Sequence, residues 1–395
     1  MSASPGIPRS IWLLALLLAF PSFGFVQKYA GLAGVAAYLA AVTAGVWCVA
    51  AFGGRLAPWI KRRFRLLSIV GVCGMLVGFI VLHPYEDSKG PGKSSDRNEG
   101  LELAVERLAA GENPYYPPRV FPGPLSLFPG SILLSAPFSA LGNSGYQNIF
   151  WLAAFLLAAS RWFNDKALAC FVLAAPFALS PAMVYEFVSG GDLISNGIFV
   201  TLFLLLAVSA WSEPTAPAWQ RWGACVLLGI GLASRANFIL LLPLFAGTIW
   251  RVAGFRQAVA AGSAVALSVL AVSLPFYLID TAAFTPLMSR RKLALVNDSL
   301  PWAGTAMIAL TALSSVAGAF LIRFRCCGDP ARAMFRCCTL VTLVPMACAI
   351  LFSSIVQSFP DFGFLRDRFG LMYLPFALFG WGGAWIANIG KPESD

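Results

Sequence analysis

The sequence has few charged residues and a single histidine. Of its 395 residues only 12% are charged, whereas a soluble domain carries about a quarter. The hydrophobic share is 58% and the mean hydropathy is +0.75. Apolar runs of about 20 residues, the length that crosses a bilayer as a helix, recur along the chain. These features argue against a soluble enzyme and predict one all-α integral membrane domain over residues 1–395.

The single histidine and the spacing of the cysteines argue against several kinds of catalytic site and metal site. His83 is the only histidine and ends an apolar run, so we expect no Ser/His/Asp or Cys/His catalysis. The sequence contains neither a glycine-rich nucleotide loop nor a zinc-binding helix motif. Cys326 and Cys337 each begin a Cys-Cys pair, which lacks the Cys-x-x-Cys spacing of metal sites. We therefore expect no metal and no cofactor.

Apolar runs predict about twelve transmembrane helices. They cover residues 10–26, 30–52, 66–83, 146–162, 167–184, 193–211, 222–234, 237–251, 257–279, 302–322, 337–356 and 369–387. The strongest basic segment, residues 55–65, follows the second run, and the positive-inside rule assigns such loops to the cytoplasm. Both termini are then cytoplasmic, and residues 84–145 are extracytoplasmic. Because the net charge of +10 comes mostly from short loops, we expect no nucleic-acid partner.

The segment 84–145 begins with the longest polar stretch in the chain. Seven of the 18 acidic residues lie between Pro84 and Leu125. An apolar stripe with helical spacing predicts an amphipathic helix and consists of Leu101, Ala104, Val105 and Leu108. Gly111 ends this helix, and the following Asn-Pro pair requires an extended turn. The structured outer loop is therefore the expected working part of the protein.

Asp96 is the first candidate for chemistry in this loop. Its spacing from Glu99 matches a capping box, so spacing alone favours a helix N-cap. A carboxylate in this position is alternatively a general base. Glu86 and Asp87 are expected to be solvated residues at a helix end, and together with Glu99 they are the alternative bases.

Arginines on the predicted outer face form a second group of candidates. Arg235 lies in the turn of a predicted helical hairpin over 222–251, whose two halves are each too short to cross a ~30 Å core. Arg291 lies in the loop 280–301, and Arg368 precedes the last run. Each alone is most simply a solvated loop charge, but the positive-inside bias should deplete all three. Phosphate is a ligand that arginine forks fit well.

Asp192 follows two glycines and precedes an apolar run. Glycine lets a backbone approach a ligand closely, and an aspartate at this position also suits a helix N-cap. The sequence leaves the ligand role and the capping role equally open.

These segments together resemble a known family. Asp96, the helix 99–110 and the sequence Gly-Glu-Asn-Pro-Tyr at 111–115 resemble the first extracytoplasmic loop of the GT-C membrane glycosyltransferases. They are most similar to glycosyltransferase family 87, the polyprenyl-phosphate-mannose-dependent transferases. Three weaker similarities follow in the same order along the chain, at residues 190–192, 231–243 and 367–369.

The resemblance implies a GT-C fold and an inverting hexosyltransferase of the cell envelope, a mannosyltransferase in family 87. It implies a polyprenyl-phosphate sugar as donor, a glycan, glycolipid or protein as acceptor, and contact with membrane lipid. Asp96 would be the general base. The residues implied to bind substrate are Arg235, Asp192, Tyr115, Asn113, Arg291 and Arg368.

Two other classes of function compete with this interpretation. A multi-pass transporter or flippase of lipid-linked substrates also has many helices and buried charge. The absence of a two-fold internal repeat and the long outer loop argue against it. A non-catalytic assembly or anchoring protein is the third possibility.

Overall fold

The computed structural model describes residues 9–88, 95, 97–115, 125–286 and 300–383. Every regular element within these ranges is helical and no strand occurs among them, which confirms the predicted all-α class. Among the described residues five helices are long and apolar enough to cross a membrane, or six if one bent pair is a single span. The chain is therefore a membrane-embedded helical protein.

The helices are numbered here in chain order. They are α1 (Arg9–Ala19), α2 (Phe23–Asp87), α3 (Arg97–Ala109), α4 (Pro129–Ser139), α5 (Tyr146–Trp162), α6 (Lys166–Leu179), α7 (Pro181–Val188), α8 (Leu193–Ser212), α9 (Ala218–Leu232), α10 (Ala236–Ile239), α11 (Leu242–Val252), α12 (Phe255–Ile279), α13 (Ala303–Arg325), α14 (Pro330–Gln357) and α15 (Leu374–Trp381). Short 3₁₀ segments lie at Phe20–Ser22, Gly363–Asp367 and Phe369–Tyr373.

Helix α2 doubles back on itself. Its backbone is helical from Phe23 to Asp87 except at Gly31, and a straight helix would place residues 38 and 86 about 72 Å apart. Tyr38 donates to the Leu179 carbonyl at 2.5 Å, and Tyr185 donates to Glu86 at 2.7 Å. Because the six residues from 179 to 185 span at most about 22 Å, residues 38 and 86 lie at the same end of the molecule.

The reversal in α2 lies between Gly45 and Glu86, which are both near one end of α6, whereas Lys61 is near the other end. Gly45 contacts the Leu179 side chain at one end of α6, whereas Lys61 Nζ is 2.7 Å from Asp165 at the other end. Helices bend at proline and at glycine pairs, and this stretch contains Gly53, Gly54 and Pro58. Helix α2 therefore forms two antiparallel arms.

The loop expected over residues 55–65 is absent. The sequence predicts two helices, 30–52 and 66–83, joined by a basic loop, but the backbone is helical through the basic segment. Arginine and lysine are good helix formers, so a cluster of them does not end a helix. The two arms lie in the predicted order, and only the conformation of their connection was wrong.

Two other predicted helices are interrupted at prolines. The run 167–184 divides into α6 and α7, which meet at 90° where Pro181 begins α7. The run 10–26 is broken by the 3₁₀ segment Phe20–Ser22. Ser22 and Ser180 join the two breaks through hydroxyl groups 2.8 Å apart. The bend directs α7 across the bundle and places its polar side chains near the start of α8.

The bundle has a polar end and a basic end. Helices α5 and α8 both begin at the polar end, where Asn148 Nδ2 donates to the Gly191 carbonyl at 2.8 Å. The opposite, basic end contains the connections 57–65, 161–166, 213–218, 252–255 and 325–330, with many of the arginines and lysines in or beside them. Charge is therefore distributed unequally between the two ends.

Candidate functional site

Two glycines shape the start of α8. Gly190 has φ 68°, in the left-handed region that favours glycine. A Cβ on Gly191 would lie 2.2 Å from Glu186 Oε1. The missing side chain allows the Glu186 carboxylate to accept a hydrogen bond from the Leu193 N–H at 3.0 Å. An anion therefore lies at the positive end of the α8 dipole, where it is stabilised.

Asp192 occupies the N-cap position of α8 but makes no capping hydrogen bond. Its carboxylate instead accepts bonds from Arg235 Nη2 at 2.6 and 2.5 Å and from Asn196 Nδ2 at 2.6 Å. Ser131 Oγ lies 3.3 Å away and donates to the same carboxylate. The helix-cap alternative for Asp192 is therefore wrong. Its carboxylate binds Arg235 instead of the backbone N–H groups at the start of α8.

Arg235 lies in the turn between α9 and α10, and it is 5% exposed. The start of α4 inserts against this turn, because the Gly130 N–H donates to the Ala233 carbonyl at 2.8 Å. Ser126, just before α4, accepts a hydrogen bond from Arg235 Nη1 at 3.2 Å. The Nε–H of Arg235 has no hydrogen-bond acceptor among the described residues.

The electrostatics of this pair favour its ionised form. Burial alone would raise the pKa of Asp192, but the nearby charges of Arg235 and Arg97 outweigh burial and lower it below its ordinary value. Charge-assisted hydrogen bonds act in the same direction. Asp192 and Arg235 are therefore both charged at neutral pH, in a place almost free of water.

A second ion pair lies beside the first. Arg368 Nε is 2.7 Å from Glu186 Oε2, a close ionic contact without an aligned hydrogen bond. The Arg368 guanidinium stacks over the Tyr185 ring at 4.6 Å, and its Nη2 donates to Ser95 Oγ at 2.9 Å. Tyr185 in turn donates to Glu86 Oε1 at 2.7 Å. These contacts connect the segment before the last helix to α2, α7 and the outer loop.

Helix α3 docks onto the same end of the bundle. Leu101 and Ala104 are fully buried, and Asn98 forms a hydrogen bond with the Ser144 hydroxyl. Glu102 Oε1 accepts from the Ser144 N–H at 2.9 Å. Arg97, the first residue of α3, lies 3.8 Å from Asp192 Oδ1 and over the Phe369 ring at 5.2 Å. The amphipathic helix of the outer loop therefore reaches the buried ion pairs.

We call the six charged residues just described the ionic cluster. They are Arg97, Arg235, Arg368, Glu86, Glu186 and Asp192. Asp96 and Arg291 lie outside the described residues. The two neighbours of Asp96 belong to the described residues: Ser95 binds Arg368, and Arg97 approaches Asp192. The chain therefore reaches the ionic cluster on both sides of Asp96.

Asn113 and Tyr115 lie in the segment that follows α3. Asn113 Oδ1 accepts the Tyr115 N–H at 2.9 Å and closes the turn after α3. The Tyr115 ring is buried at 5.0 Å from Phe284, and burial raises the pKa of its phenol. Neither side chain makes a hydrogen bond to the ionic cluster among the described residues. Asn113 therefore holds the turn after α3, and Tyr115 packs this turn onto the segment after α12.

The three alternative bases, Glu86, Asp87 and Glu99, lie in different environments. Glu86 is only 4% exposed, so it is not the solvated helix-end residue that the sequence indicates. Asp87 is exposed at the end of α2, and Glu99 is half-buried in the first turn of α3. Of the three, Glu86 alone belongs to the ionic cluster.

Sequence reasoning missed several polar residues at this end. Glu186 carried a usable signal, because an ionisable residue within an apolar run is a candidate site residue. The others are neutral or lie in the polar loop, and nothing local marks them: Arg97, Asn98, Ser131, Asn148 and Asn196. Asn196 bonds to Asp192 four residues earlier, but the partners of the others are distant in the chain, so only the fold reveals those.

Comparisons with protein-family models, curated proteins and solved structures give no match. The class that the fold and site define is an all-helical, membrane-embedded protein with a buried ionic cluster at one end. The resemblance to glycosyltransferase family 87 rests on the sequence motifs.

Proposed function

We propose that the chain is an inverting glycosyltransferase of the GT-C type, most similar to family 87. It would transfer a mannose-like hexose from a polyprenyl phosphate to an extracytoplasmic glycan, lipid or protein. The observation that carries the proposal is the placement of the outer-loop motif. Ser95 and Arg97, on the two sides of Asp96, contact Arg368 and Asp192, and Arg235 is paired with the same Asp192.

Asp96 is the general base in this mechanism. Its carboxylate takes the proton of the acceptor hydroxyl while the hydroxyl oxygen bonds to the anomeric carbon. The bond between that carbon and the phosphate oxygen breaks, and the polyprenyl phosphate leaves with the electron pair. One displacement inverts the anomeric configuration, and no redox step or cofactor is involved.

The arginines stabilise the charge that develops on the leaving phosphate. Arg235 keeps one N–H donor without an acceptor among the described residues, although Asp192 and Ser126 occupy its other edge. Arg97 stands next to Asp96 in the chain and 3.8 Å from Asp192. The carboxylates hold these cations in a region of low water content, which preorganises them for an anion.

The membrane arrangement belongs to the same proposal. About twelve spans would place both termini and the basic end in the cytoplasm, in keeping with the positive-inside rule. The polar end, with α3 and the ionic cluster, would face the outside and open to donors in the outer leaflet. A lipid-linked donor would then approach from the membrane.

The direct experiment is a donor-consumption assay. Purified protein is incubated with radiolabelled polyprenyl-phosphate mannose and a glycolipid extract, and released polyprenyl phosphate is measured. The expected result is release coupled to label transfer, with an inverted anomeric centre in the product. A reconstituted protein that moves the intact donor across vesicles without cleaving it would identify the flippase alternative instead.

A further inference from the structure

The basic end has a surface that the proposed function does not use. It lies where the connection from α11 to α12 meets the connection from α13 to α14. We call it the arginine–aromatic surface. It consists of Trp250, Arg251, Phe255, Arg323, Phe324 and Arg325.

Aromatic rings and guanidinium groups alternate across this surface. The Arg323 guanidinium lies over the Trp250 ring at 5.2 Å and over the Phe324 ring at 5.0 Å. Trp250 also contacts Phe255, with ring centroids 5.3 Å apart. Phe255 and Phe324 are 60% and 57% exposed, so the aromatic edge faces outward. Tryptophan at the end of a membrane helix is typical of the headgroup region, and Trp250 also contacts Phe324, with ring centroids 5.5 Å apart.

The two connections are tied together and carry excess positive charge. Arg251 donates to the backbone carbonyls of Arg323 and Cys326, both at 3.4 Å. Arg251 and Arg325 are exposed. Asp329 is the one acidic residue in these connections, and its carboxylate accepts the Ala331 N–H at 3.0 Å as the cap of α14. The arginine charges therefore have no carboxylate partner within the two connections.

Arg221 at the same end of the bundle shows the contrasting arrangement. Its Nη2 donates to the carbonyls of Glu213 and Pro214 at 2.9 and 2.8 Å. The carboxylate of Glu213 lies close enough for the Arg221 charge to contribute to lowering the Glu213 pKa, after the Thr215 hydrogen bonds. Arg221 therefore has a carboxylate in its own connection that balances its charge, whereas Arg251 and Arg325 have no such carboxylate in theirs.

We propose that the arginine–aromatic surface binds the phosphate headgroup of an anionic phospholipid. The arginine forks would hold the phosphate oxygens, and the aromatic rings would lie beside the glycerol and upper acyl region. Helix α12 begins here and helix α13 ends here, and both are apolar enough to cross a membrane. The surface therefore lies at the depth where a headgroup lies. This site is separate from the ionic cluster and does not depend on the proposed transferase activity.

Native mass spectrometry of the full chain in mild detergent tests the proposal. The protein is titrated with phosphatidylglycerol and, separately, with zwitterionic phosphatidylcholine. We expect preferential retention of phosphatidylglycerol, weakened by added salt. Arg325→Gln, which changes an exposed side chain, should weaken binding about fivefold, and Arg251→Gln with Arg323→Gln about fivefold for each arginine. Arg221→Gln is the matched control and should bind as the unmodified protein does.

Three results would overturn the proposal. The first is equal retention of the two lipids, and the second is equal binding by Arg325→Gln and the unmodified protein. The third is an equal loss of binding in Arg221→Gln. Millimolar inorganic phosphate distinguishes a free anion site from a lipid site. It should leave bound phosphatidylglycerol in place, and displacement by phosphate alone would also contradict a lipid site.

Discussion

Asp192 and Arg235 form an ion pair inside the protein, with Arg235 Nη2 at 2.6 and 2.5 Å from the two carboxylate oxygens. The residues are 1% and 5% exposed. The pair joins the start of α8 to the turn between α9 and α10. Because the ions are shielded from water, each depends on the other for compensation of its charge.

A double-mutant cycle measures this dependence. Asp192→Asn and Arg235→Gln should each lower the free energy of unfolding by about 3–5 kcal/mol, since each leaves one buried charge uncompensated. The double variant should lose much less than the sum of the two. The measurement is unfolding in detergent, followed by circular dichroism or by thermal shift.

An exposed ion pair is the control for this cycle. Lys61 Nζ lies 2.7 Å from the Asp165 carboxylate, but the two side chains are 48% and 18% exposed. Lys61→Met should cost only about 0–1 kcal/mol, because water solvates the remaining carboxylate. Additive losses at Asp192 and Arg235 would show that the two residues are not coupled. The buried pairing also means that Arg235→Ala should reduce stability as well as rate.

We predict that replacing Gly191 with a residue that has a side chain destabilises the protein. A Cβ there would lie 2.2 Å from Glu186 Oε1, so Gly191→Ala should displace the carboxylate and cost about 1–3 kcal/mol. Gly223 in α9 is the matched control, since no neighbouring atom lies within 4 Å of its Cβ position. Gly223→Ala should be neutral or stabilise by up to about 1 kcal/mol. Similar melting temperatures for the two variants would mean that the Gly191 backbone does not enclose Glu186.

The lowered pKa of Asp192 predicts a pH dependence confined to acid. The stabilisation is fully present above the unfolded-state pKa of about 3.9 and is lost as pH falls through the lower folded-state pKa. Titration of Asp192 should therefore leave stability unchanged from pH 8 to 5 and reduce it below about pH 4. Asp192→Asn should remove this part of the acid dependence. If the variant and the unmodified protein lose stability in parallel below pH 4, the folded-state pKa of Asp192 is not lowered.

Cysteine labelling tests the proposed orientation. In a background without the nine native cysteines, Arg62→Cys and Glu106→Cys each introduce one exposed thiol. In intact cells an impermeant maleimide should label position 106, and position 62 should react only after permeabilisation. Labelling of both from one side would contradict an extracytoplasmic polar end. The contact of Lys61 with Asp165 and the docking of α3 on Ser144 place the two positions toward opposite ends of the bundle.

The helices were largely predictable because local apolar runs mark where most of them begin and end. The apolar run 146–162 coincides with α5, and the run 193–211 ends one residue before α8 does. Pro181 marks the bend between α6 and α7, but its 90° angle and the contact of Ser180 with the distant Ser22 are visible only in the fold. Apolar length thus predicts where helices are, whereas tertiary contacts determine how they bend.

The ionic cluster was only partly predictable. Arg235 and Arg368 were singled out because the predicted outer face should hold few basic residues, and the structure shows both of them buried in ion pairs. Their partners Asp192 and Glu186 lie 43 and 182 residues away respectively. No local pattern encodes which arginine meets which carboxylate, so the pairing required the fold.

The central claim is that Asp96 is the base, and Asp96→Asn tests it most directly. If Asp96 only caps α3, asparagine keeps a capping oxygen, and the change should cost only tenths of a kcal/mol and little activity. A base replaced by asparagine cannot accept the proton, which typically costs about 10²–10⁴-fold in rate. The measurement is the turnover of polyprenyl-phosphate mannose by the purified variant, with its melting temperature as the folding control. We predict a folded, membrane-inserted protein with at most about one hundredth of the unmodified turnover. Turnover above about a tenth would contradict the assignment and direct the search for the base to Glu86 or Asp87.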